Sequence, residues 1–274
     1  MIKIGSHISF KAPKYLIGAV EESIENKANC MMIYLGAPQT TKRVDIEKYR
    51  IPEYKDAFTK YISPEDIVVH APYITNPANP DKAKFASDFL IQEIQRMNAI
   101  GCKYLVLHPG SHTTYSIKDS LHALIDSLKY ILSKTKDVVI CLETMSGKGS
   151  EVGRNYDQIM YVIKNVISDR IKVCLDTCHI WDAGYDLHNY DQFKKELKES
   201  GIYEHLKVIH LNDSKNPLAS HRDRHENIGL GYIGFDTLRR IVHDPDFDEI
   251  PIILETPWVD NKPIYKEEIK KLMS

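Results

Sequence analysis

The sequence predicts a (β/α)8 TIM barrel in which residues 1–274 form a single domain. The length of 274 residues is close to the roughly 250 residues typical of such barrels. Eight short apolar runs alternate with eight longer segments of helical periodicity. Six consecutive runs, at steps of 33 to 45 residues, end in a side chain that can bind a metal ion: His70, His108, Glu143, Asp176, His210 and Glu255.

The predicted strands are apolar throughout rather than alternating between apolar and polar residues. This pattern is typical of strands that are buried on both faces, as in a parallel sheet. In chain order, we expect strands at 2–7, 30–35, 67–71, 104–108, 138–143, 171–176, 206–211 and 250–255. The segment Gly5-Ser6-His7 after the first strand lacks the G-x-G-x-x-G spacing of a phosphate-binding loop.

The segments between the strands have the 3.6-residue period of amphipathic helices. Ser116, for example, precedes a segment in which Leu121, Leu124, Ile125 and Leu128 form one apolar stripe. In chain order, we expect helices near 13–27, 45–60, 80–100, 116–134, 155–167, 189–200, 234–243 and 263–273. Eight strand–helix units favour closure into a barrel over an open, doubly wound sheet.

Composition restricts the class of protein only weakly. The chain is 43% hydrophobic and 27% charged, and its formal charge of −2 neither requires nor excludes a nucleic acid partner. Bound divalent cations would make the charge at a site more positive. No apolar run approaches the roughly 18 residues of a membrane span, so we expect no membrane segment and no signal peptide. Five cysteines without a C-x-x-C pair predict reduced thiols in a cytoplasmic protein, although Cys178, beside His179, could be a soft metal ligand.

The metal-binding side chains would converge if the eight strands wrapped around a common axis. Active sites of TIM barrels lie at the carboxyl ends of the strands, and a charged residue ending a buried strand is costly unless it is paired or coordinated. Three further donors follow in two short motifs: His179 in Asp176-Thr177-Cys178-His179, and Asp223 and His225 in Asp223-Arg224-His225. The second motif lies in a long polar connection, residues 211–234, and such loops are usually functional or disordered. A shorter irregular stretch, residues 36–41, follows the second strand.

Nine donors are too many for one ion. Zinc commonly takes four ligands, so nine donors with a shared carboxylate suit two or three ions. Imidazole and carboxylate together are accepted by Zn²⁺, Mn²⁺ and Fe²⁺. Divalent ions a few ångströms apart activate water and stabilise charge on a phosphoryl group, so this chemistry favours hydrolysis of a phosphate ester. His7 and His112, also near strand ends, are either supporting contacts or turn residues.

Four motifs resemble the endonuclease IV family of apurinic/apyrimidinic endonucleases: His70-Ala71-Pro72-Tyr73, Val173-Cys174-Leu175-Asp176-Thr177-Cys178-His179, His210-Leu211-Asn212-Asp213-Ser214-Lys215 and Asp223-Arg224-His225-Glu226-Asn227-Ile228-Gly229. The likeness extends from Gly5-Ser6-His7 to Glu255-Thr256-Pro257. It implies a TIM barrel with three zinc ions, with Mn²⁺ possible at some sites. The implied activity is cleavage of double-stranded DNA on the 5′ side of abasic sites, leaving a 3′-hydroxyl and a 5′-deoxyribose phosphate.

The resemblance also implies a role for each donor. Glu143 and Glu255 are the expected catalytic residues, with Glu143 bridging two ions. The implied ligands are His70, His108 and Glu143 for one ion, Glu143, Asp176, His210 and Glu255 for the second, and His179, Asp223 and His225 for the third. The chain is expected to act as a monomer.

The resemblance places DNA contacts at four residues: Gln39, Tyr73, Lys215 and Arg224. Gln39 and Tyr73 would fill the space that the missing base leaves in the duplex. This chain departs from the family pattern at three places in these loops: Pro38 stands where some members have arginine, Ile74-Thr75-Asn76-Pro77 is less apolar than usual, and Ala219 replaces a common glycine. These departures concern the DNA-contacting loops and not the metal ligands.

Two other functions fit parts of the pattern. A TIM-barrel sugar isomerase or epimerase has a similar barrel but one or two metal ions, and does not need the Asp223 and His225 donors. A DNA-lesion-binding protein without turnover would not need three ions. The number of bound metal ions and a nicking assay on an abasic duplex distinguish the three functions.

Overall fold

Eight parallel strands form the centre of the fold in the computed structural model, which describes residues 1–274. The strands are β1 (Lys3–Ser6), β2 (Met31–Ile33), β3 (Ile67–His70), β4 (Tyr104–Leu107), β5 (Val139–Glu143), β6 (Ile171–Asp176), β7 (Leu206–His210) and, after a two-stranded hairpin, β10 (Pro251–Leu254). Their order in the sheet is β1-β10-β7-β6-β5-β4-β3-β2. A parallel bridge between His7 and Met32 joins β1 to β2, so the sheet closes into the predicted TIM barrel.

The helices surround the barrel, and most begin and end near the predicted positions. They are α1 (Leu16–Glu25), α2 (Ile51–Ala57), α3 (Ala83–Ile100), α4 (Ile117–Lys134), α5 (Tyr156–Val166), α6 (Thr177–Ala183), α7 (Tyr190–Glu199), α8 (Ile202–His205), α9 (Phe235–Val242) and α10 (Tyr265–Leu272). Ser116 caps α4 by accepting a hydrogen bond from the Asp119 backbone N–H, at 3.0 Å. None of these helices is both long enough and apolar enough to cross a lipid bilayer.

The structure differs from the sequence prediction at two helical regions. The helix expected at 45–60 is divided into a 3-10 turn at Ile46–Tyr49 and the shorter α2, because Arg50 between them has a left-handed backbone with φ of 61°. The short helices α6 and α8 were not predicted. Helix α6 follows β6 without a connecting loop, since the Asp176 side chain accepts the His179 backbone N–H at 2.8 Å and begins the helix.

Two apolar layers hold the barrel together. The larger lies between the sheet and the helices, and the smaller fills the barrel interior with Cys30, Met32, Val68, Val106, Cys141, Cys174, Val208 and Ile253. All five cysteines are free and buried, and burial raises the pKa of the Cys174 thiol to about 12. The interior cysteines therefore serve as small apolar side chains. Because the interior is packed, the polar side chains at the strand ends line the mouth above it.

The buried carboxylate of Asp213 organises much of the long connection between β7 and β10. It contains the antiparallel hairpin of β8 (Asp213–Ser214) and β9 (His225–Glu226). The fully buried Asp213 side chain accepts hydrogen bonds from the backbone N–H groups of Ser214, Gly229, Gly231, Ile233 and Gly234, at 2.8 to 3.3 Å. In helix α10, Glu268 similarly accepts the Ile228 N–H at 2.9 Å. These contacts explain how a polar, Gly-rich segment is held in one conformation without a helix.

The substitution Asp213→Asn should destabilise the protein. In either orientation, the new amide NH2 faces backbone N–H groups that need an acceptor, and leaving buried donors unpaired costs about 1–3 kcal/mol. We expect the free energy of unfolding to fall by that amount in denaturant titrations. The control Asp56→Asn, at an exposed position in α2, should change it by less than about 0.5 kcal/mol. Equal stability of the two variants would show that Asp213 does not organise the connection.

Candidate metal centre

The barrel brings all nine predicted donors together at its mouth. His70, Glu143, Asp176 and His210 are the last residues of their strands, while His108 and Glu255 directly follow β4 and β10. His179 lies in the first turn of α6, and Asp223 and His225 come from the long connection. Ligand atoms within 4.8 Å of one another form several groups, and none of these groups includes a cysteine, so Cys178 is not among the clustered donors.

The first group lies between β3, β4 and β5. The Nε2 atoms of His70 and His108 lie 3.2 Å and 3.0 Å from Oε2 of Glu143. Glu143 is buried, and its other carboxylate oxygen faces a second group of donors. The two oxygens of Glu143 therefore point towards different groups, as a bridging carboxylate requires.

The second group lies around His210. Its Nδ1 atom is 3.1 Å from Oε1 of Glu143, 3.1 Å from Oε2 of Glu255 and 3.9 Å from Oδ2 of Asp176. Three carboxylates thus surround one imidazole nitrogen in a buried position. Three negative groups at these distances repel one another unless positive charge lies among them.

The third group joins α6 to the long connection. The Nε2 atom of His179 is 3.1 Å from Oδ1 of Asp223, and Nε2 of His225 is 3.6 Å from Oδ2 of Asp176 and 3.8 Å from Oδ1 of Asp223. Asp176 therefore lies between the second and third groups. The third group depends on a loop residue pair, whereas the first two are built entirely from strand ends.

Backbone carbonyls fix which nitrogen of three imidazoles carries the proton. The Nδ1–H groups of His70, His179 and His225 donate to the carbonyls of Ala71 at 2.7 Å, Thr144 at 2.8 Å and Glu255 at 3.3 Å. Their Nε2 lone pairs then face carboxylate oxygens, an arrangement that is repulsive unless a proton or a cation lies between them. The buried Nε2 of His225 has no hydrogen-bond partner at all. This donor set fits divalent ions, since metal-bound histidines commonly donate their second N–H to a carbonyl.

The imidazoles and carboxylates of the centre shift one another's pKa values. Burial lowers the pKa of His179, but the Asp176 and Asp223 carboxylates outweigh it and hold that pKa well above its ordinary value. Burial raises the pKa of Glu143, but the His210 and His108 imidazoles hold it well below its ordinary value. The centre is therefore built to contain positive charge among ionised carboxylates.

Two uncharged side chains that the sequence did not single out orient the donors. The Asn212 Nδ2 amide donates to Oδ2 of Asp176 at 2.8 Å, and its Oδ1 accepts the Glu255 backbone N–H at 2.9 Å. The Thr144 hydroxyl accepts the Asp176 backbone N–H at 3.1 Å. Thr144 directly follows the donor Glu143, and Asn212 lies two residues beyond the donor His210. An Asn or Thr just past a buried strand is common, so only the spatial contacts distinguish these two residues.

The four predicted DNA-contacting residues are exposed at the mouth. Tyr73 is 51% exposed and borders a cleft of about 160 Å³ that also reaches His108. Lys215 directly follows β8 and Arg224 directly precedes β9. Their backbones are paired, because the Lys215 N–H donates to the Arg224 carbonyl at 2.9 Å. Gln39 is exposed in the loop after β2. The surfaces that these residues form are accessible to a large ligand.

The structure shows the surroundings of two of the departures and of the loop that contains the third, Pro38. The Asn76 side chain donates to the Ser111 carbonyl at 3.0 Å and accepts its N–H at 3.0 Å, so it fastens the loop after β3 to the loop after β4. Ala219 has a left-handed backbone with φ of 61°, a conformation in which glycine is free of strain. The loop after β2 is anchored by Arg43, which forms a bidentate ion pair with the buried Glu93 of α3.

Of His7 and His112, the two further histidines near predicted strand ends, His7 lies closer to the centre. Its ring meets Tyr34 edge-on at 5.1 Å, and Tyr34 in turn lies 4.9 Å from the ring of His70. The Nδ1–H of His112 donates to the Tyr115 carbonyl at 3.0 Å, which is a local turn contact. His7 is therefore a neighbour of the metal-ligand candidates, and His112 a loop residue.

Comparisons with known proteins agree with this architecture. A family profile described as "Xylose isomerase-like TIM barrel" matches residues 20–274. A curated relative from Mycoplasmopsis agalactiae, named "Probable endonuclease 4", is 66% identical over 273 residues, which cover 100% of this chain and 98% of the relative. The chain belongs to the endonuclease IV family. The resemblance seen in the motifs is thereby confirmed, and the protein is an enzyme of the DNA-repair nuclease class.

Solved structures extend the comparison. Endonuclease IV from Thermus thermophilus superposes with a TM-score of 0.83 at 25% identity, covering 99% of this chain and 97% of that one. A D-tagatose 3-epimerase-like protein has a TM-score of 0.74 at 20% identity, covering 99% and 96%. At that identity, the epimerase likeness shows the shared fold alone. It explains why a sugar epimerase was a reasonable alternative from the barrel pattern.

Proposed function

We propose that this endonuclease IV family member hydrolyses the phosphodiester on the 5′ side of abasic sites in double-stranded DNA, using three divalent ions. The proposal rests above all on one observation: eight of the nine donors have ligand atoms clustered within 4.8 Å of one another, Asp223 joins them 3.1 Å from His179, and imidazole nitrogens face carboxylate oxygens throughout. The family membership supplies the class of reaction. Zinc is the first candidate at each site, because imidazole and carboxylate ligands suit it, and Mn²⁺ is accepted by the same donors.

The proposed ligands follow the three groups. Glu143 would be shared by the first and second ions. The full assignment would be His70, His108 and Glu143, then Glu143, Asp176, His210 and Glu255, then His179, Asp223 and His225. The centre contains four carboxylates with a total charge of −4, against +6 for three divalent ions. A loaded centre would therefore carry a net charge of +2. This local charge would attract a phosphodiester anion, although the whole chain has a formal charge of −2.

When bound, the ions would supply Lewis-acid stabilisation of the phosphoryl oxygens and acidify a water molecule. The carboxylates of Glu143 and Glu255, both facing His210 Nδ1 at 3.1 Å, would hold the attacking water and accept its proton. A bond from the water oxygen to phosphorus forms as the bond from phosphorus to the 3′-oxygen breaks. The proton accepted by the carboxylate passes to the leaving 3′-oxygen, which becomes a 3′-hydroxyl, and the phosphate stays on the 5′-deoxyribose fragment. No serine or cysteine nucleophile is needed.

The substrate must reach a centre that lies inside the mouth of the barrel. An abasic nucleotide leaves the duplex at low cost, because it has no pairing partner and less stacking than an intact nucleotide. We assign Gln39 and Tyr73 to the vacated space in the duplex, and Lys215 and Arg224 to the phosphates. The chain would act as a single-domain monomer, since the three loops assigned to DNA and the complete donor set lie on one copy.

The purified protein should carry two to three tightly held divalent ions per chain and lose activity only slowly to chelators. Five of the nine donors are buried and the other four are partly buried, so bound ions should exchange slowly with solvent. Elemental analysis after purification without added chelator measures the content. At most one ion per chain would contradict the three-ion centre, and a content of one ion with sugar isomerisation would favour an epimerase-like enzyme.

The substitution Glu255→Gln should nearly abolish nicking of a defined abasic duplex and leave binding of that duplex within roughly tenfold, or about 1.4 kcal/mol. The amide keeps the size of the side chain but removes a negative charge that faces His210. Gel-based nicking and equilibrium titration measure the two properties separately.

The matched control for this variant is Glu199→Gln, an exposed carboxylate at the end of α7. Its nicking rate should equal that of the wild type. If Glu255→Gln also cuts at a wild-type rate, Glu255 is not part of the centre. If the wild type binds abasic duplex without cutting it under metal-replete conditions, the protein is a lesion-binding protein and not a nuclease.

The substitution Tyr73→Ala should weaken binding to abasic duplex more than binding to undamaged duplex, with unchanged metal content. Stacking of an aromatic side chain on a base contributes about 1–3 kcal/mol, whereas phosphate contacts act on all sequences alike. Selectivity should therefore fall by roughly tenfold for a loss of about 1.4 kcal/mol. Titrations of both duplexes at one salt concentration measure it.

Tyr61→Ala provides a control of matched exposure. Tyr61 is 52% exposed but precedes β3, at the opposite end of the barrel from Tyr73. Its loss should leave both affinities unchanged. An equal loss on both duplexes for Tyr73→Ala, or a lower melting temperature with loss of metal, would assign Tyr73 to the scaffold.

A further inference from the structure

The single carboxylate within helix α6 has no place in the centre itself. Asp182 lies in the last turn of α6, six residues after Asp176 and three after His179, and its side chain is 0% exposed. A buried anion near the carboxyl end of a helix is unfavourable, because the helix dipole is negative there. The helix alone therefore gives no reason for a carboxylate at this position.

The contacts of Asp182 give that reason. Its Oδ2 accepts the backbone N–H of Asp223 at 2.7 Å and that of Arg222 at 3.3 Å, while its Oδ1 accepts the Ser214 hydroxyl at 2.7 Å. The Asp182 backbone carbonyl accepts the His221 N–H at 3.0 Å. The end of α6 thus binds the loop segment that immediately precedes and includes the Asp223 donor.

This loop segment needs such support because its backbone is strained. Ala219, His221 and Asp223 have φ values of 61°, 53° and 55°, a left-handed conformation that residues with a Cβ atom rarely adopt. Three such residues in five positions persist only where surrounding contacts determine the conformation. Besides Asp182, the supporting groups are the Trp181 carbonyl, which accepts the Ala219 N–H at 3.1 Å, and the Ser146 carbonyl, which accepts Nδ1–H of His221 at 2.8 Å.

We propose that Asp182 is a positioning residue for the third ion: it holds the Asp223 backbone so that the Asp223 carboxylate, and His225 two residues later, face His179. This inference rests on the proposed three-ion centre. Helix α6 then carries both halves of the third site, with His179 as a donor at its start and Asp182 as the anchor of the opposing donors at its end. The ligands proposed for the first two ions lie outside this loop segment, and only Asp176 is shared with the third group.

The test measures bound metal per chain and the rate at which each ion is released to a chromophoric chelator, using full-length zinc-loaded protein. Asp182→Ala should bind two ions in place of three. Asp182→Asn, which keeps one amide oxygen for the Asp223 N–H but loses the charge, should release one ion faster by about 10- to 100-fold, the range for losing a partner of a metal ligand. The other two release rates should match the wild type.

Ser214→Ala is the matched control, because it removes the hydrogen bond to Oδ1 of Asp182 and leaves both contacts of Oδ2. It should retain three ions with wild-type release rates. In Asp223→Ala protein, adding Asp182→Ala should cause no further loss of metal. Circular dichroism of each variant reports whether the barrel is folded, and the Asp182→Asn release rates decide the question if Asp182→Ala does not fold.

The outcomes separate this inference from the proposed function. Zinc-loaded wild-type protein that holds fewer than three ions contradicts the three-ion centre itself. Wild-type protein with three ions and a folded Asp182→Ala variant that also holds three would overturn only the role of Asp182. Accelerated release of all three ions from Asp182→Asn would likewise overturn it, since the effect would then be general and not confined to the third site.

Discussion

The buried carboxylate of Glu143 among the imidazoles of His70, His108 and His210 is the interaction on which the rest of the barrel mouth depends. An isolated carboxylate at this depth would be strongly destabilising, and so would the imidazole lone pairs that face it without a proton or cation between them. The surrounding structure keeps these groups together in spite of that cost. The scaffold therefore supports function at the expense of its own stability at this point.

The fold meets this requirement with rigid elements for most donors and with anchored loops for the rest. Parallel strands end at one edge, so donors at their ends are fixed by the same hydrogen bonds that hold the sheet. The long connection has no such ladder, and buried carboxylates replace it: Asp213 collects backbone N–H groups of the loop, Glu268 fastens it to α10, and Asp182 fastens it to α6. A loop built in this way can be polar on its exposed side and still hold a ligand in place.

The comparison with the epimerase-like barrel shows where function resides in this fold. The two proteins share a barrel at a TM-score of 0.74, so the barrel itself does not distinguish a sugar enzyme from a nuclease. The distinction lies in the residues added above the strands. In the function proposed above, these are the third donor group from α6 and the long connection, and the exposed Tyr73, Lys215 and Arg224 around it. A small-sugar pocket has no need for such an open, basic and aromatic rim.

The sequence by itself predicted the barrel, which the structure confirms, and it singled out the nine candidate donors that the barrel brings to its mouth. Uninterrupted apolar runs indicate strands that are buried on both faces. A histidine or carboxylate at the end of six of the eight runs, repeated at the length of one strand–helix unit, is visible without coordinates. The sequence could not indicate that α6 begins directly at Asp176, or that Asn212, Thr144 and Asp182 orient the donors. Those roles depend on contacts between residues 32 to 43 positions apart. Only the closed barrel decided them, because a hydrogen bond between distant segments leaves no periodic pattern in the chain.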